Sequence, residues 1–468
     1  VDALMPNMIG LDLGTTTVTG VLIDSWYGEI LGQVQRTNDS ALWCPFSTRA
    51  EQDPQRLFAL ALDVLAELSR GGEPVDGIAL TGQKHGLLCV GSHGEALTSL
   101  ISWQDRRTAE PWPDGSTTLE RLHARLGGLG WRDNGCRIQH GYGAASLFWL
   151  VREGELPAGT DRVCTIAGWL AGRLVGQSPV TDPTFAASWG VYDLVRGAWN
   201  DEFLDCLDLA ERLFPPVQPS GVRLGGLMPE VARQVELAPG LPVYNPLGDT
   251  QGSFLGSVSD REHSLFLNLG TGGQVCWLVS RLEAPTEAVE TRPLPDGDFL
   301  RVGASLCGGA AYAWLNRTVR AWLAEFGFVV DEEEVYTRLN ALAEACDDVG
   351  VLRVRTTFLG ARGEPDEQAG AILGIPLESL RLDALARTTL MGIVDELCDL
   401  YFSHVRDGAQ HTQIVAAGGA VRRNPLLSAL IEERFGLPVQ LSRHREAAAL
   451  GTAMLSARAP TFSARRSG

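Results

Sequence analysis

One local pattern occurs twice in this chain: an apolar, β-branched run that stops at a glycine-threonine break and resumes as a second apolar run. The first copy is Ile9-Gly10-Leu11-Asp12-Leu13-Gly14-Thr15-Thr16-Thr17-Val18-Thr19-Gly20-Val21-Leu22-Ile23-Asp24. The second is Leu265-Phe266-Leu267-Asn268-Leu269-Gly270-Thr271-Gly272-Gly273-Gln274-Val275. Each predicts a strand, a tight turn and a returning strand. The chain has 468 residues, and single cores usually stop growing near about 250 to 300, so two or three domains are expected.

In the first copy Gly14 permits a tight turn and close approach of a ligand, while Thr15, Thr16 and Thr17 supply short donors without charge. Asp12 precedes that turn, where a carboxylate can orient Mg2+ or a magnesium-bound water, since this ion prefers oxygen ligands and keeps several waters. A plain hairpin, with Asp12 and the threonines capping local backbone groups, fits the same residues. No GxxxxGK[ST] segment occurs, which excludes a P-loop. Gly270, Thr271, Gly272 and Gly273 repeat the turn, and two such turns can grip one phosphate chain from opposite domains.

Composition narrows the function classes. Asp and Glu number 57 against 39 Lys and Arg, a formal charge of -18, which argues against non-specific binding to nucleic acid or to an anionic membrane. An anionic nucleotide still binds where magnesium and backbone donors make a local positive site. No apolar stretch approaches about 18 uninterrupted residues and no signal-like block opens the chain, so a cytoplasmic location is expected. The nine cysteines lack CxxC spacing and signal neither a zinc site nor a disulfide framework.

Strands alternate with helices along the chain, which predicts an α/β layer architecture. Extended structure is expected at 30–37, 77–80, 413–417 and 438–441, and helices at 54–68, 143–150, 161–172, 309–326, 379–402, from about 424, and 446–455. A Gly418-Gly419-Ala420 turn separates the 413–417 strand from the helix near Asn424-Pro425, and 458–468 reads as a frayed tail. From Pro215 to Gly248 the periodicity fails among repeated prolines and glycines, predicting a boundary near Pro246 and domains of 1–246 and 247–468.

Two clusters in the first half carry further chemistry. Gln83-Lys84-His85-Gly86 follows the 77–80 strand, and Ser102-Trp103-Gln104-Asp105-Arg106-Arg107 sets an aromatic face beside an amide, an acid and two cations. A polyhydroxylated ligand needs directional donors and acceptors with an aromatic surface for its C–H face, and Gln83, His85, Trp103, Gln104 and Asp105 offer these. Taken singly, His85 reads as a structural hydrogen-bonding residue and Trp103 as core packing. Asp249, in Gly248-Asp249-Thr250-Gln251, is a short carboxylate at the expected boundary that can enter a cleft, or an ordinary Gly-Asp surface turn.

The Asp12-to-Thr17 turn, Gln83-Lys84-His85-Gly86, Trp103-Gln104-Asp105, Gly248-to-Gln251, Gly270-Thr271-Gly272-Gly273, and Gly418-Gly419 with Asn424 stand in an order and spacing that resembles the FGGY family of carbohydrate kinases over essentially the whole chain. The resemblance implies an α/β fold of two actin-like ATPase (ribonuclease H-like) domains flanking a deep cleft that closes on its ligands. It implies a sugar site in the first domain (Gln83, His85, Trp103, Gln104, Asp105) and Asp249 as catalytic base. ATP would lie between Gly14 to Thr17 and Gly270 to Gly273, with Gly418, Gly419 and Asn424 at the nucleoside end and Asp12 on the Mg2+ side.

Gly141 to Leu150, Ala186-Ala187-Ser188-Trp189-Gly190 and Thr357 to Asp366 resemble the branch of that family acting on sedoheptulose more than those acting on xylulose or glycerol. The expected substrate is therefore a small ketose, sedoheptulose first and D-xylulose or another pentulose second, handled by a monomer or homodimer. Lys84 departs from the family's usual methionine, either adding a cation to the sugar site or pointing into solvent. Arg106-Arg107 departs where glycine often follows the acid. The non-kinase alternatives are a carbohydrate-sensing protein that has lost transfer and a chaperone-like ATPase, the latter having no need of the sugar cluster.

Overall fold

The structure, a computed structural model, describes residues 6–358, 370–375, 377, 380–405 and 410–458. Most of the 357–366 run, the first residue of the helix expected from 379, and the expected frayed tail beyond Arg458 lie outside the described residues.

Two mixed sheets organise the molecule. In the first, β1 (Asn7–Leu13), β2 (Thr17–Asp24) and β3 (Glu29–Thr37) form an antiparallel ribbon. β4 (Gly77–Gly82) lies parallel to β1, β5 (Arg223–Gly226) forms the edge, and β6 (Pro242–Tyr244) lies between β5 and β4. The second sheet repeats the plan. β7 (Ser264–Leu269), β8 (Gly273–Val279) and β10 (Phe299–Ser305) are antiparallel, with β9 (Val289–Pro293) added beyond β10. β11 (Gln413–Ala417) runs parallel to β7, and β12 (Val439–Leu441) parallel to β11. Three antiparallel strands followed by two parallel ones, twice over, is the expected pair of actin-like domains.

Helices cover both sheets where apolar residues recur at three- and four-residue spacing. α1 (Pro54–Ser69) opens with Asp53 accepting from Gln55 N and a proline in the first turn, and buries Leu57, Leu60, Ala61, Val64, Leu65 and Leu68. Across the boundary follow α2 (Asp249–Ser257), α3 (Gly308–Glu325), α4 (Leu382–Phe402), α5 (Pro425–Phe435) and α6 (Ala447–Ala457). α6 packs on α2 and returns to the first sheet, its Ala449, Leu450 and Ala453 joining Met8, Val21 and Ile23 in one apolar cluster. Only glycine fits that contact: a Cβ on Gly10 would stand 1.9 Å from the carbonyl oxygen of Ala449. The first sheet thus carries chain from both sides of residue 246, including the two-residue strand Leu247–Gly248, which pairs with β4.

Three local expectations change. Residues 161–172 are a strand, Arg162–Cys164, then a helix, Ile166–Val175, because the strand pairs with Leu88–Val90 and Thr165 caps the helix at Gly168 N. The 215–248 region holds β5, a helix Pro229–Val235 and β6, with Pro229 and Pro242 standing at element starts where no backbone N–H is required. The Gly418-Gly419-Ala420 turn opens a five-residue helix, Gly419–Arg423.

Candidate active site

β1, β4 and the strand Leu247–Gly248 run parallel and nearly level, with Asp12 beside Thr81, Thr81 beside Leu247, and Gly82 beside Gly248. Segments leaving the same end of adjacent parallel strands converge, which is where open α/β sheets bind ligands. The Gly14–Thr16 turn, the Gln83–Gly86 loop and Asp249 therefore meet at one edge. In the second sheet Asn268 stands beside Ala417, so the Gly270 turn and Gly418-Gly419 also leave side by side.

Asp12 is the electrostatic centre of the first edge. Its Oδ1 is sealed from solvent and has no hydrogen-bond partner. Burial, then the neighbouring carboxylates of Asp249 and Glu446, push its carboxyl up to about 7. Asp12 is thus no backbone cap, although the hairpin is real: the carbonyls of Gly14 and Thr15 are met by Asn38 Nδ2 at 3.0 and 3.1 Å.

Asp249 begins α2 with its side chain 39% exposed, and its Oδ1 accepts from Thr250 N at 2.6 Å. The backbone entering it is fixed from behind. Gly248 N donates to Thr184 Oγ1 at 2.8 Å, and that hydroxyl donates to buried Asp182 at 2.7 Å. Asp182, whose carboxyl burial pushes up to about 6, also caps the helix Pro183–Ala187 by accepting from Phe185 N.

The Gln83–Gly86 loop and the Trp103–Asp105 loop touch the Gly14–Thr16 turn. Trp103 Nε1 donates to Thr15 Oγ1 at 2.8 Å, Thr15 Oγ1 lies 3.4 Å from Gln83 Oε1, and Gln83 Nε2 donates to Gln52 Oε1 at 2.7 Å. Trp103 is 37% exposed and is not a core residue. His85 adopts φ +71°, uncommon for a residue with a side chain, and its ring stacks on Tyr142 at 4.2 Å. Its Nδ1 lies 2.6 Å from the carbonyl of Ser188, which can only accept, so Nδ1 carries a proton. Gln104 is exposed beside Trp103.

Two expectations in these loops are corrected. Asp105 is 1% exposed, accepts from Ala50 N, and is paired with Arg107, so its carboxylate faces the protein and holds the loop. Arg107 is buried by the same pair and by Glu51. Lys84 does not reach solvent: its side chain is 6% exposed, with Nζ 3.7 Å from Asp249 Oδ1.

On the second sheet a cavity of about 1020 Å³ is lined by Gly270, Thr271, Tyr336, Gly419 and Asn424 among others. Asn424 caps α5 at Leu427 N and donates from Nδ2 to Asn340 at 3.0 Å. Gly418 shapes the entry at φ +101°, where a Cβ would lie 2.2 Å from the Leu269 carbonyl oxygen. Gly272 and Gly273 are not among the lining residues. They turn inward and let the start of α3 approach, a Cβ on Gly308 meeting Gly272 at 2.5 Å.

The halves are tied by groups that sequence reasoning did not select. Tyr142 OH donates to Glu290, Arg292 pairs with Glu290 at 2.6 Å, and Arg292 also donates to Tyr142 OH and to the Ala187 carbonyl. Tyr142 and Ala187 fall in runs singled out for resemblance alone. Glu290 and Arg292 gave no signal, because an alternating charged strand reads as a solvated face until its burial is seen.

The N-terminal domain profile of the FGGY family of carbohydrate kinases matches residues 7–256, and the C-terminal domain profile matches 265–459. The chain belongs to the FGGY family. This FGGY chain is 27% identical to mouse (Mus musculus) sedoheptulokinase over 480 residues, 95% of the chain and 96% of the relative. It is 28% identical to Thermus brockianus glycerol kinase over 471 residues, 96% and 89% of the two chains. Among solved structures, a ligand-bound xylulose kinase from Lactobacillus acidophilus superposes with a TM-score of 0.83 at 21% identity, covering 96% of this chain and 88% of that one. The FGGY chain is therefore a carbohydrate kinase, a phosphotransferase of a family that uses ATP. Among the described residues no helix is long and apolar enough to cross a membrane.

Proposed function

We propose that this kinase transfers the terminal phosphoryl group of ATP to a hydroxyl of a ketose, with sedoheptulose as the preferred acceptor. The observation that carries the reading is the position of Asp249, a partly exposed carboxylate that leaves the sheet beside the Gln83 loop and close enough to Asp12 to raise its proton affinity. The sugar hydroxyl oxygen bonds to the terminal phosphorus as the bond from that phosphorus to the bridging oxygen of ADP breaks and its electron pair leaves with ADP. Asp249 takes the hydroxyl proton.

Gln83, His85, Trp103 and Gln104 orient the sugar, and Asp105 supports their loop. Backbone and hydroxyl groups of Gly14, Thr15, Thr16 and Thr17 face the transferring end of the nucleotide, and Gly270 and Thr271 approach from the second domain. Gly418, Gly419 and Asn424 bound the nucleoside end, with Gly272 and Gly273 shaping that wall from behind. Magnesium, when bound, supplies positive charge to the phosphoryl oxygens in a protein of net charge -18. The unpartnered, sealed Oδ1 of Asp12 fits that ion or its water, and no group of three or more His, Cys, Asp or Glu among the described residues offers another cage.

Sedoheptulose is supported by the similarity to sedoheptulokinase, which spans 96% of that relative against 89% of the glycerol kinase. Turnover on sedoheptulose, D-xylulose, L-ribulose and glycerol, read as ADP release with detection of the sugar phosphate, tests it. The highest kcat/KM is expected for sedoheptulose. A higher value for xylulose or glycerol replaces the substrate, and ADP release indifferent to every sugar with no sugar phosphate replaces the kinase reading by a sensing role.

A further inference from the structure

Of the 39 lysine and arginine residues in the chain, Lys84 alone is a lysine. Everywhere else a cation stands, the chain uses arginine. The exception is buried at the junction of the two domains, beside the candidate base.

The charges facing Lys84 come from several elements. Asp249 lies on α2, Glu290 and Arg292 on β9, and the Cys276 thiol on β8. Arg292 is already paired with Glu290, which leaves Asp249 as the carboxylate in ion-pair range of the ammonium. Burial pulls the Lys84 pKa down, and Asp249 is the strongest influence holding it up. A buried ammonium is costly unless a carboxylate faces it, and here that carboxylate is Asp249.

The chemical difference between the two cations explains the choice. Three donors face Asp249 Oδ1, namely Thr250 N at 2.6 Å, Thr250 Oγ1 at 3.3 Å and, at ion-pair rather than hydrogen-bond distance, Lys84 Nζ at 3.7 Å, while Oδ2 accepts no hydrogen bond from the protein among the described residues. An ammonium is a point charge that can hold one oxygen, whereas a guanidinium forks across both. Space is also narrow, since a Cβ on Gly248 would lie 3.0 Å from Lys84 Cδ.

We propose that Lys84 is a positioning residue for phosphoryl transfer, anchoring Asp249 by Oδ1 so that Oδ2 stays open to receive the proton of the sugar hydroxyl. The proposal rests on Asp249 being the base. It gives the one lysine a task for which the chain's usual arginine is unsuited.

Lys84→Met, Lys84→Arg, Asp249→Asn and the Lys84→Met/Asp249→Asn double variant of the full chain test it. Misplacing a reacting group by about 1 Å can cost about 100-fold, so Lys84→Met is expected to lower kcat by about 10- to 100-fold. KM for ATP and ketose should stay within about threefold, and the melting temperature should change little because the carboxylate left without its partner is 39% exposed and can be solvated. Lys84→Arg keeps the charge and is still expected to lose kcat, an outcome that a simple charge-balancing role does not give. In the Asp249→Asn background the methionine change should add less than about twofold, as expected when two residues act through one contact. A kcat for Lys84→Met within threefold of the parent, full rescue by arginine, or equal losses in both backgrounds overturns the proposal. Near-normal turnover of Asp249→Asn alone instead removes the base reading, independently of any Lys84 variant. A readout that needs no turnover comes from isotope-labelled lysine, which gives one side-chain signal in this chain. That signal should move in Asp249→Asn, and an unmoved signal also overturns the pairing, including in the event that Lys84→Met does not fold.

Discussion

The two glycine-threonine turns occupy equivalent places in equivalent sheets yet differ in their polar groups, Thr16-Thr17 in the first standing where the second has Gly272-Gly273. Asp12-Leu13-Gly14-Thr15 at the end of β1 corresponds to Asn268-Leu269-Gly270-Thr271 at the end of β7, so a carboxylate in the first domain stands where the second has an amide. Around Asp12 the charge is concentrated: its Oδ1 is unpartnered, and Asp249 and Glu446 both push its proton affinity up. Around Asn268 the turn is open, with nothing within 4 Å of a Cβ placed on Gly270 and a cavity of about 1020 Å³ beyond. In the function proposed above, a duplicated fold supplies two turns at equivalent places, and local charge suits one to the reacting end of a nucleotide and the other to its bulk.

The largest test of that asymmetry is Asp249→Asn, which removes the proposed proton acceptor at nearly constant volume. General bases contribute about 100- to 10,000-fold, and a kcat loss in that range is expected with nucleotide affinity, measured by titration calorimetry, nearly unchanged. Normal turnover would reject the role.

Next is Asp12→Asn, which makes the first turn resemble the second. Turnover should fall and its magnesium dependence flatten, while Asn268→Asp should not create a second magnesium-dependent step. Stability gives an independent check in chelator. The Asp12 carboxyl titrates near 7 in the fold against 3.8 ordinarily, so ionising it disfavours the folded state. That penalty is absent below 3.8, grows between 3.8 and 7, and is complete above. Asp12→Asn should therefore raise the melting temperature at pH 8 and leave it nearly unchanged at pH 3.5. Equal differences at both pH values would mean that Asp12 is not held as the geometry implies.

Gly418→Ala probes the open side. Its φ of +101° and the 2.2 Å approach to Leu269 leave no place for a methyl group, and strained backbone positions cost about 1 to 3 kcal/mol. A lower melting temperature and a raised KM for ATP are expected, with KM for the ketose unchanged in initial-rate assays.

Trp103→Phe is the mildest change. It keeps an aromatic face but deletes the Nε1 donor to Thr15, and a neutral hydrogen bond is worth about 0.5 to 1.5 kcal/mol net. A few-fold rise in ketose KM with kcat nearly intact is expected, and an effect on ATP affinity alone would place Trp103 on the wrong side of the comparison.

Much of this was legible in the chain because it depends on neighbours in sequence. Strand-turn-strand units, α1, α3 and the Asn424-Pro425 helix start follow from residue type and spacing, and the clusters around Gln83, Trp103 and Asp249 were visible as motifs. What those clusters do with their side chains was not legible. Asp105 looked like a sugar ligand and is bound to Arg107, Lys84 looked as able to face solvent as the site, and Gly273 looked like a phosphate contact and lies buried in β8.

The sequence by itself determined that two α/β halves each present a glycine-threonine turn, because backbone conformation and apolar periodicity are local properties of the chain. Only the tertiary structure decided which polar atoms remain open and which charges are paired. Burial and partnership arise from residues far apart in sequence: Thr184 fixing Gly248, Glu290 taking Arg292, and Asp249 facing both Asp12 and Lys84.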